Sequence, residues 1–372
     1  MKTLLKNASV WQTDHTFLCG ADVLICDGKI EKIQKNIDER ADRVIDLEGK
    51  YLVPGFVDAH THGRAGYDFN VASHNEMEEM KSDYIRHGVT SPIPTLASDT
   101  LEGWEDSAKK ICAVGFDGIH FEGRYLSEKK KGAHASHLLA LPSGDEIEKI
   151  ISFADIPTHI TLAPEIFGGD EAILRAVKLG ATVGIGHTNA TASETRRALE
   201  LGATSFSHLF NAMPTLHHRE GGAVSVALMG GVYSELIVDG VHICPDMVAL
   251  AYSCIGAEKL LLITDSMAGT GCADGEYSIA GGKVFVRDGK ATTPDGTIAG
   301  STLNMLDAVK NLMEFAGATL GDAIACATKN PAKMLGIYGN VGSIEAGKRA
   351  NLLALDENLE ISRVIYNGVE YI

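Results

Sequence analysis

Eight short apolar segments recur along the middle of the chain, and amphipathic helical segments separate most of them. In order they read LVPGFVDAH, VTSPIPT, DGIHFEG, THITLAPE, ATVGIGH, TSFSHLF, ELIVDG and KLLLITD. Their near-continuous apolarity is typical of parallel strands that are buried on both faces. Eight strand–helix units over about 280 residues predict a (β/α)8 TIM barrel, for which ~250 residues is usual. A doubly wound open sheet is the alternative, but no G-x-G-x-x-G follows a strand, so its dinucleotide-binding form lacks support.

Both ends of the chain differ from the middle and predict β-structure. ADVLICDGKIEKI indicates a hairpin that turns at Asp27-Gly28, and NLLALDENLEISRVIYNGVEYI indicates three strands, the last two joined at Asn367-Gly368. We therefore predict a small β-sandwich domain built from residues 1–52 and 340–372, with a catalytic barrel domain over 53–339 inserted between them. The glycine-rich stretch 269–300 predicts a β-hairpin excursion over the barrel mouth.

Three sequence patterns predict helix starts of the capping-box type, in which a hydroxyl and a carboxylate satisfy free backbone N–H groups. They join Ser73 to Glu76, Ser143 to Glu146 and Thr191 to Glu194. Each lies just before one of the amphipathic segments, as the barrel interpretation requires.

The charge balance limits the partners that this chain can have. Its formal net charge is −16, which argues against binding nucleic acid or an anionic membrane, since both need clustered Lys and Arg. A phosphorylated substrate would need a local basic pocket. Seven scattered cysteines without a C-x-x-C spacing indicate reduced thiols rather than disulfides or a thiolate zinc site. No segment approaches the ~18 apolar residues of a membrane span, so we expect a soluble cytoplasmic protein.

Polar residues gather where the predicted strands end. In a barrel these ends converge on one face, where active sites lie. Imidazoles and carboxylates that converge on one point indicate a divalent metal site, and such an ion lowers the pKa of a bound water from ~15.7 to about 7. The pattern therefore predicts metal-assisted hydrolysis. The residues at these ends are His60, His62, Glu122, His187, His208, Asp239, His242 and Asp265.

Single histidines at strand ends are most often structural, and H-x-H alone is a weak signal. Six strand ends that each supply His, Glu or Asp are harder to explain that way. We assign no function to the histidines in apparent helical or loop contexts, and His120 is ambiguous because it shares a strand face with Glu122. The run 128–131 (EKKK) predicts a solvated loop. The histidines without an assigned function are His15, His74, His87, His137 and His159.

Two segments, LVPGFVDAHTHG and GSIEAGKRANLLALD, resemble the amidohydrolase superfamily. Within it the chain resembles the N-acetylglucosamine-6-phosphate deacetylases. The matching pieces run in family order from about residue 52 to 350, so the resemblance covers nearly the whole chain. They are FEG, KKGAHASH, GHTNAT, SHLFNAM, HREGG, DGVHICP, LITDSMAGTG and IAGST.

The resemblance implies a role for each matching position. Glu122, His187 and His208 correspond to the main metal ligands and Asp265 to the catalytic acid/base. His134 corresponds to a catalytic residue near the acetamide carbonyl. Arg219 or His242 would reach a phosphate across a dimer interface, which implies a homodimer. The implied substrate-binding residues are Ala133, His134, Asn211, Ala212, Arg219, His242, Ile298, Ala299 and Gly300.

Two departures from the family pattern bear on the site. The family usually has Glu-Gly-Pro where this chain has Glu122-Gly123-Arg124, so we expect Arg124 to contact substrate or solvent. Some members lack both first-strand histidines. This chain keeps His60 and His62, which leaves open a second ion bridged by Glu122. The ion would be zinc or iron, with manganese and cobalt also admitted, because His/Glu sets discriminate poorly among these metals.

The expected activity is hydrolysis of N-acetylglucosamine 6-phosphate to glucosamine 6-phosphate and acetate. The same reaction on N-acetylgalactosamine 6-phosphate is the nearest alternative, because the two sugars differ at one hydroxyl. A dipeptidase or cyclic-amide hydrolase is more distant, since the fourth strand (THITLAPE) lacks the lysine that bridges two metals in dihydroorotase-like and urease-like members. A barrel repurposed as an assembly protein is the non-enzymatic alternative, and metal analysis would separate it.

Overall fold

A computed structural model describes all 372 residues and contains twenty-one strands and ten α-helices. The strands are β1 (Lys2–Trp11), β2 (Phe17–Cys26), β3 (Lys29–Gln34), β4 (Arg43–Asp46), β5 (Tyr51–Pro54), β6 (Phe56–Thr61), β7 (Gly63–Arg64), β8 (Tyr67–Asp68), β9 (Val89–Leu96), β10 (Ile119–Glu122), β11 (Thr158–Leu162), β12 (Thr182–Ile185), β13 (Ser205–Phe206), β14 (Tyr233–Ile237), β15 (Leu260–Ile263), β16 (Gly275–Ile279), β17 (Gly282–Arg287), β18 (Lys290–Thr292), β19 (Leu352–Leu355), β20 (Ile361–Tyr366) and β21 (Val369–Glu370).

The helices are α1 (His74–Arg86), α2 (Leu101–Val114), α3 (Gly144–Ile151), α4 (Gly169–Lys178), α5 (Ala192–Glu200), α6 (Gly222–Leu228), α7 (Pro245–Ile255), α8 (Met305–Ala316), α9 (Leu320–Ala327) and α10 (Lys329–Met334). Two 3-10 turns cover Glu128–Lys130 and Ser136–Leu138. No helix combines the length and the apolarity that crossing a bilayer requires.

Eight parallel strands form the predicted barrel. Their spatial order is β6, β9, β10, β11, β12, β13, β14, β15, which is also their order along the chain. The first and last strands meet where the Asp265 N–H donates to the His60 carbonyl at 2.9 Å, and a parallel bridge joins Thr61 to Ser266. Because β6 and β9 are buried along their whole length, the apolar runs are explained by burial on both faces. The predicted (β/α)8 barrel is therefore confirmed.

The predicted helix starts are also found. Ser73 and Thr191 form complete capping boxes with Glu76 and Glu194. At α3 the Ser143 side chain accepts from the Glu146 N–H, so the hydroxyl half of the box is present. These caps fix where α1, α3 and α5 begin after the loops at the barrel rim.

Strands from both ends of the chain form one further sheet, as predicted. Its order is β21-β20-β19-β5-β1-β2-β3, and β4 pairs with β1. The expected hairpins are present at Asp27-Gly28, between β2 and β3, and at Asn367-Gly368, between β20 and β21. This sheet has its own cluster of fifteen buried residues, separate from the barrel core. The division at residues 52 and 340 stays a prediction.

The glycine-rich excursion is a three-stranded antiparallel sheet, β16-β17-β18, one strand more than the predicted hairpin. The Ala280 N–H donates to Asp68 Oδ2 at 2.7 Å, which anchors the excursion to the loop after β6. Val284 and Val286 pack in one cluster with Met267, which lies four residues beyond the end of β15. These contacts hold residues 279–280 and 297–300 over the barrel mouth.

Candidate metal centre and active site

The chemistry-bearing side chains lie at the carboxyl ends of the barrel strands. Glu122 is the last residue of β10, while His187, His208 and Asp265 each follow their strand by two residues. Those three residues have positive φ angles of 45°, 29° and 49°. Such angles are uncommon for residues other than glycine and cluster at functional sites. The backbone thus turns at each strand end, and the turn aims these side chains into the barrel.

Three donor atoms meet at one point. Glu122 Oε1 lies 2.8 Å from His208 Nε2 and 3.2 Å from His187 Nε2, and the two imidazole nitrogens are 3.0 Å apart. Two ligands that each lie ~2.1 Å from a tetrahedral ion are roughly 3.4 Å apart. These separations are close to that value, so the three side chains can share one ion.

A second group adjoins the first through the same carboxylate. His60 Nε2 lies 3.3 Å from Glu122 Oε1, and His62 Nε2 lies 3.1 Å from Glu122 Oε2. Asp265 Oδ1 is 3.3 Å from His62 Nε2 and 3.8 Å from His60 Nε2. Glu122 therefore lies between two pairs of imidazoles, His187 with His208 and His60 with His62, and is close enough to share a cation with either pair.

Hydrogen-bond partners show that these residues fit a metal ion. The His187 Nδ1 donates to the Lys130 carbonyl at 2.8 Å, and the His60 Nδ1 donates to Glu235 Oε2 at 3.0 Å. In a neutral ring this leaves the lone pair on Nε2 facing Glu122. His60 Nε2 is completely buried and has no hydrogen-bond partner. Bare nitrogens beside a carboxylate are the donors that zinc and similar divalent ions take.

Burial and charge set the protonation of the cluster. Burial lowers the pKa of His187 to about 4, so its ring is neutral at pH 7. Burial alone would raise the pKa of Glu122 and Asp265, but the neighbouring imidazoles hold that of Glu122 well below its usual range and that of Asp265 at about 2. The two carboxylates are therefore ionised and ready to accept a cation or a proton.

Sequence reasoning missed Glu235, which supports both ligand sets. It lies within β14, is completely buried, accepts from His60 Nδ1, and also accepts from the His208 N–H at 3.1 Å. A carboxylate that accepts from a ligand's second nitrogen orients the ring and makes it a better donor. The available signal was a lone Glu in the apolar strand segment ELIVDG, since an unpaired charge is not tolerated in a strand buried on both faces.

A cavity of about 400 Å³ opens above the cluster, within the range of small-molecule sites. All of the predicted substrate-binding residues except Arg219 line this cavity. Arg219 is exposed and contacts His218 instead. His242 is fixed in the wall by its Nδ1, 2.7 Å from Asp239 Oδ2. The predicted residues in the lining are Ala133, His134, Asn211, Ala212, His242, Ile298, Ala299 and Gly300.

The run 128–131 is only partly the solvated loop that its charge predicts, because Glu128 and Lys129 are exposed whereas Lys130 and Lys131 are half-buried. Lys129 and Lys130 line the cavity, and Lys130 Nζ donates to the Met213 carbonyl at 2.9 Å, beside Asn211 and Ala212. Lys130 is held inward because its backbone carbonyl also accepts a hydrogen bond from His187 Nδ1–H. Charged residues in such runs usually face solvent, and Lys130 is an exception because its backbone carbonyl orients the ring of the predicted metal ligand His187.

Two further expectations need correction. Arg124 does not line the cavity: its guanidinium donates to Glu146 Oε1 at 3.3 Å and to the Asp99 carbonyl at 2.7 Å, and its side chain keeps 16% exposure to solvent. His159 is not in a loop or helix but inside β11, completely buried, with Nδ1 2.8 Å from Thr182 Oγ1. The ring of His120, whose role the sequence left ambiguous, packs edge-on against the ring of the predicted ligand His60, with the ring centres 4.6 Å apart.

A (β/α)8 barrel with histidines and a bridging carboxylate at its carboxyl rim defines the class of metal-dependent barrel hydrolases. The model of the Amidohydrolase family matches residues 51–370. The chain belongs to the amidohydrolase family.

Within that family, the chain is similar to deacetylases of phosphorylated N-acetyl amino sugars. An N-acetylgalactosamine-6-phosphate deacetylase of Escherichia coli O157:H7 is 33% identical over 368 residues, covering 96% of this chain and 95% of that protein. An N-acetylglucosamine-6-phosphate deacetylase of Lysinibacillus sphaericus is 34% identical over 359 residues, covering 93% and 92%. A mutant N-acetyl-D-glucosamine-6-phosphate deacetylase of Mycobacterium smegmatis, solved in complex with N-acetyl-D-glucosamine-6-phosphate, has a TM-score of 0.93 and 32% identity and covers 100% and 99%. The likeness to this group of deacetylases is confirmed.

Proposed function

We propose that this protein hydrolyses the acetamide of N-acetylglucosamine 6-phosphate to give glucosamine 6-phosphate and acetate. The observation that carries the proposal is the meeting of Glu122, His187 and His208 within 3.2 Å of one another at the floor of a cavity of about 400 Å³. Near full-length likeness to deacetylases of phosphorylated amino sugars supports the substrate class.

Glu122, His187 and His208 would hold one divalent ion, and His60 and His62 with Glu122 would hold a second. A divalent ion bound there supplies Lewis-acid polarisation of a carbonyl and lowers the pKa of water. Zinc or iron suits these donors best among the metals of the cell. Metal content measured on purified protein decides between one ion and two.

Asp265 is the proton carrier in this proposal. Its carboxylate is ionised, because its pKa is about 2, and it lies at the cavity wall next to His62. It accepts the proton of the attacking water and returns it to the nitrogen of the leaving amine, which one acid/base group can do in succession. His134 Nε2 lies 3.7 Å from Glu122 Oε2, on the side open to the cavity. From there it can donate to the oxygen on which negative charge develops.

The rest of the cavity positions the sugar. Asn211, Ala212 and His242 line one wall and would receive the sugar phosphate, while Ile298–Gly300 would line the acetyl group. Lys129 and Lys130 add positive charge to this wall, against the net charge of −16. Binding the remote phosphate fixes the amide in place, so its binding energy serves the chemical step.

We further propose a homodimer in which Arg219 reaches the partner's cavity. Arg219 is exposed, lies outside its own cavity and has no acidic partner. Arginine binds phosphate through two parallel hydrogen bonds, which suits the task. A heterodimer of Arg219→Ala with Asp265→Asn tests this, because only action across the interface restores one intact site. No regained activity in the mixed dimer would place Arg219 elsewhere.

A cytoplasmic location is part of the proposal. All seven cysteines are unpaired, and free thiols persist where the compartment is reducing. Phosphorylated sugars are also substrates that a cytoplasmic enzyme would meet.

The decisive experiment measures acetate release from four substrates, N-acetylglucosamine 6-phosphate, its galacto epimer and the two unphosphorylated sugars, with metal content on the same sample. We expect turnover of a 6-phosphate and a much lower kcat/KM for the unphosphorylated sugars. The galacto epimer is the second candidate, because its deacetylase in Escherichia coli O157:H7 is as similar to this chain as the gluco enzyme of Lysinibacillus sphaericus. Metal-loaded protein that releases no acetate from any of the four would refute the assignment.

A further inference from the structure

Ser98, directly beyond β9, holds one edge of the His134 ring. Its backbone N–H donates to His134 Nδ1 at 3.3 Å, and its hydroxyl lies 2.8 Å from the same nitrogen. Ser98 is 2% exposed and His134 is 8% exposed, so water does not compete for these contacts. We propose that Ser98 is a positioning residue that fixes His134 in the tautomer with its hydrogen on Nε2. The proposal rests on the proposed deacetylase function.

The hydrogen bonds around Ser98 favour one arrangement, in which no donor faces another donor. A backbone N–H can only donate, so His134 Nδ1 must accept. The Ser98 hydroxyl oxygen accepts from the Arg124 N–H at 2.9 Å, which leaves the hydroxyl hydrogen free to point at Nδ1. With Nδ1 accepting, the single hydrogen of a neutral imidazole lies on Nε2, the nitrogen that faces Glu122 and the cavity.

This tautomer removes His134 from the possible metal ligands. By distance alone, His134 groups with Glu122 and His187 as a candidate ion site. A nitrogen that carries hydrogen has no lone pair for a metal, whereas His187, whose Nδ1 donates to the Lys130 carbonyl, keeps its Nε2 bare. The two rings lie 4.7 Å apart and nearly perpendicular. A backbone carbonyl at Nδ1 thus makes His187 a metal ligand, whereas a backbone N–H at Nδ1 makes His134 a hydrogen-bond donor.

The local backbone is built for this contact. Gly123 has a φ of 153°, and a Cβ there would lie 2.5 Å from both the backbone nitrogen and the hydroxyl of Ser98. A side chain at position 123 would therefore push the two strand ends apart. The Arg124 guanidinium, held by Glu146 and the Asp99 carbonyl, fixes the loop that presents the Arg124 N–H. A proline at 124 would lack that N–H and could not adopt its φ of 55°.

The first test substitutes the hydroxyl. In Ser98→Ala, kcat should fall about tenfold while KM and metal content stay within twofold, because one hydrogen bond is worth about that factor. Ser98→Thr keeps a hydroxyl and should recover most of kcat. The matched control is Ser91→Ala within β9, the strand that precedes Ser98, where the lost hydroxyl contacts Asp117 at 2.7 Å, away from the cavity. Its kcat should stay within twofold of wild type.

The second test observes the tautomer in the zinc-loaded, 15N-histidine-labelled protein, with the His134 signals identified as those missing in His134→Asn. Nitrogen NMR should show hydrogen on Nε2 and a bare Nδ1. Hydrogen on Nδ1 would overturn the assigned tautomer, and full kcat in Ser98→Ala, or loss of bound metal in that variant, would overturn the positioning role of the hydroxyl. If Ser98→Ala does not fold, Ser98→Thr and the wild-type tautomer still decide. An inactive wild type refutes the deacetylase function but leaves the tautomer measurable.

Discussion

Glu235→Gln is the perturbation that examines the metal centre most directly. Glu235 touches no substrate, yet it accepts hydrogen bonds from His60 Nδ1 at 3.0 Å and from the His208 N–H at 3.1 Å, so it orients one residue of each ligand set. Glutamine has the same shape, and its carbonyl oxygen can accept both bonds. The substitution therefore removes charge and leaves the packing unchanged.

The expected loss follows from that charge. A hydrogen bond to a carboxylate is about twice as strong as one to a neutral acceptor. Mutating the hydrogen-bond partner of a metal-bound histidine costs about 10–100-fold in metal affinity, or about 1.4–2.7 kcal/mol, and Glu235→Gln falls toward the lower end of that range because a neutral acceptor remains. His60 and Glu235 are both completely buried, so solvent does not screen the effect. We expect the Kd for zinc to rise by about tenfold or more.

Chelator competition at fixed pH measures that Kd, and kcat at saturating metal should recover toward the wild-type value. Asp22→Asn is the matched control, because Asp22 is a 4% exposed carboxylate that accepts from the backbone of Asn7 and Ile37 in the small sheet. It should lower the free energy of unfolding and leave metal affinity unchanged. Zinc affinity within twofold of wild type in Glu235→Gln would refute the argument.

Three further outcomes are expected. Asp265→Asn should lower kcat by about 10²–10⁴-fold with metal and substrate still bound, and near-normal kcat would remove its acid/base role. Arg219→Ala should raise KM for the 6-phosphate by about tenfold or more, since a hydrogen bond to a charged group is worth 1.5–3 kcal/mol; an unchanged KM would leave the phosphate to Lys129 and Lys130. Burial lowers the pKa of His159 from 6.5 to about 4, so the unfolded chain binds the extra proton between these pH values, and the free energy of unfolding falls by about 3 kcal/mol as pH falls through that window. Chemical denaturation at several pH values should show a shallower fall in His159→Asn, and equal slopes would contradict the assignment.

Much of the architecture could be predicted, because each signal was local. Apolar runs of strand length, separated by capped helical segments such as those that begin at Ser73 and Thr191, predict eight buried parallel strands. The carboxyl ends of such strands must share one rim, so the strand pattern alone predicts that Glu122, His187 and Asp265 meet.

The predictions that failed concern side chains whose partners are distant along the chain. Arg124 is held away from the cavity by its hydrogen bond to Glu146. Lys130 is held inward by its hydrogen bonds to Met213 and His187. His159 lies inside a buried strand, where its ring contacts Thr182 on the neighbouring strand. None of these partners can be identified from spacing, because side-chain direction depends on the packing of other elements.

The sequence by itself determined which residues could serve a metal and that they would meet, because strand periodicity and barrel closure follow from the pattern of apolar residues. Tertiary structure decided which nitrogen of each histidine carries the hydrogen. The hydrogen of His187 is placed by the Lys130 carbonyl and that of His60 by the Glu235 carboxylate. The hydrogen of His134 is placed by the Ser98 N–H. A tautomer is fixed by whatever group faces the other edge of the ring, and only the folded chain places that group.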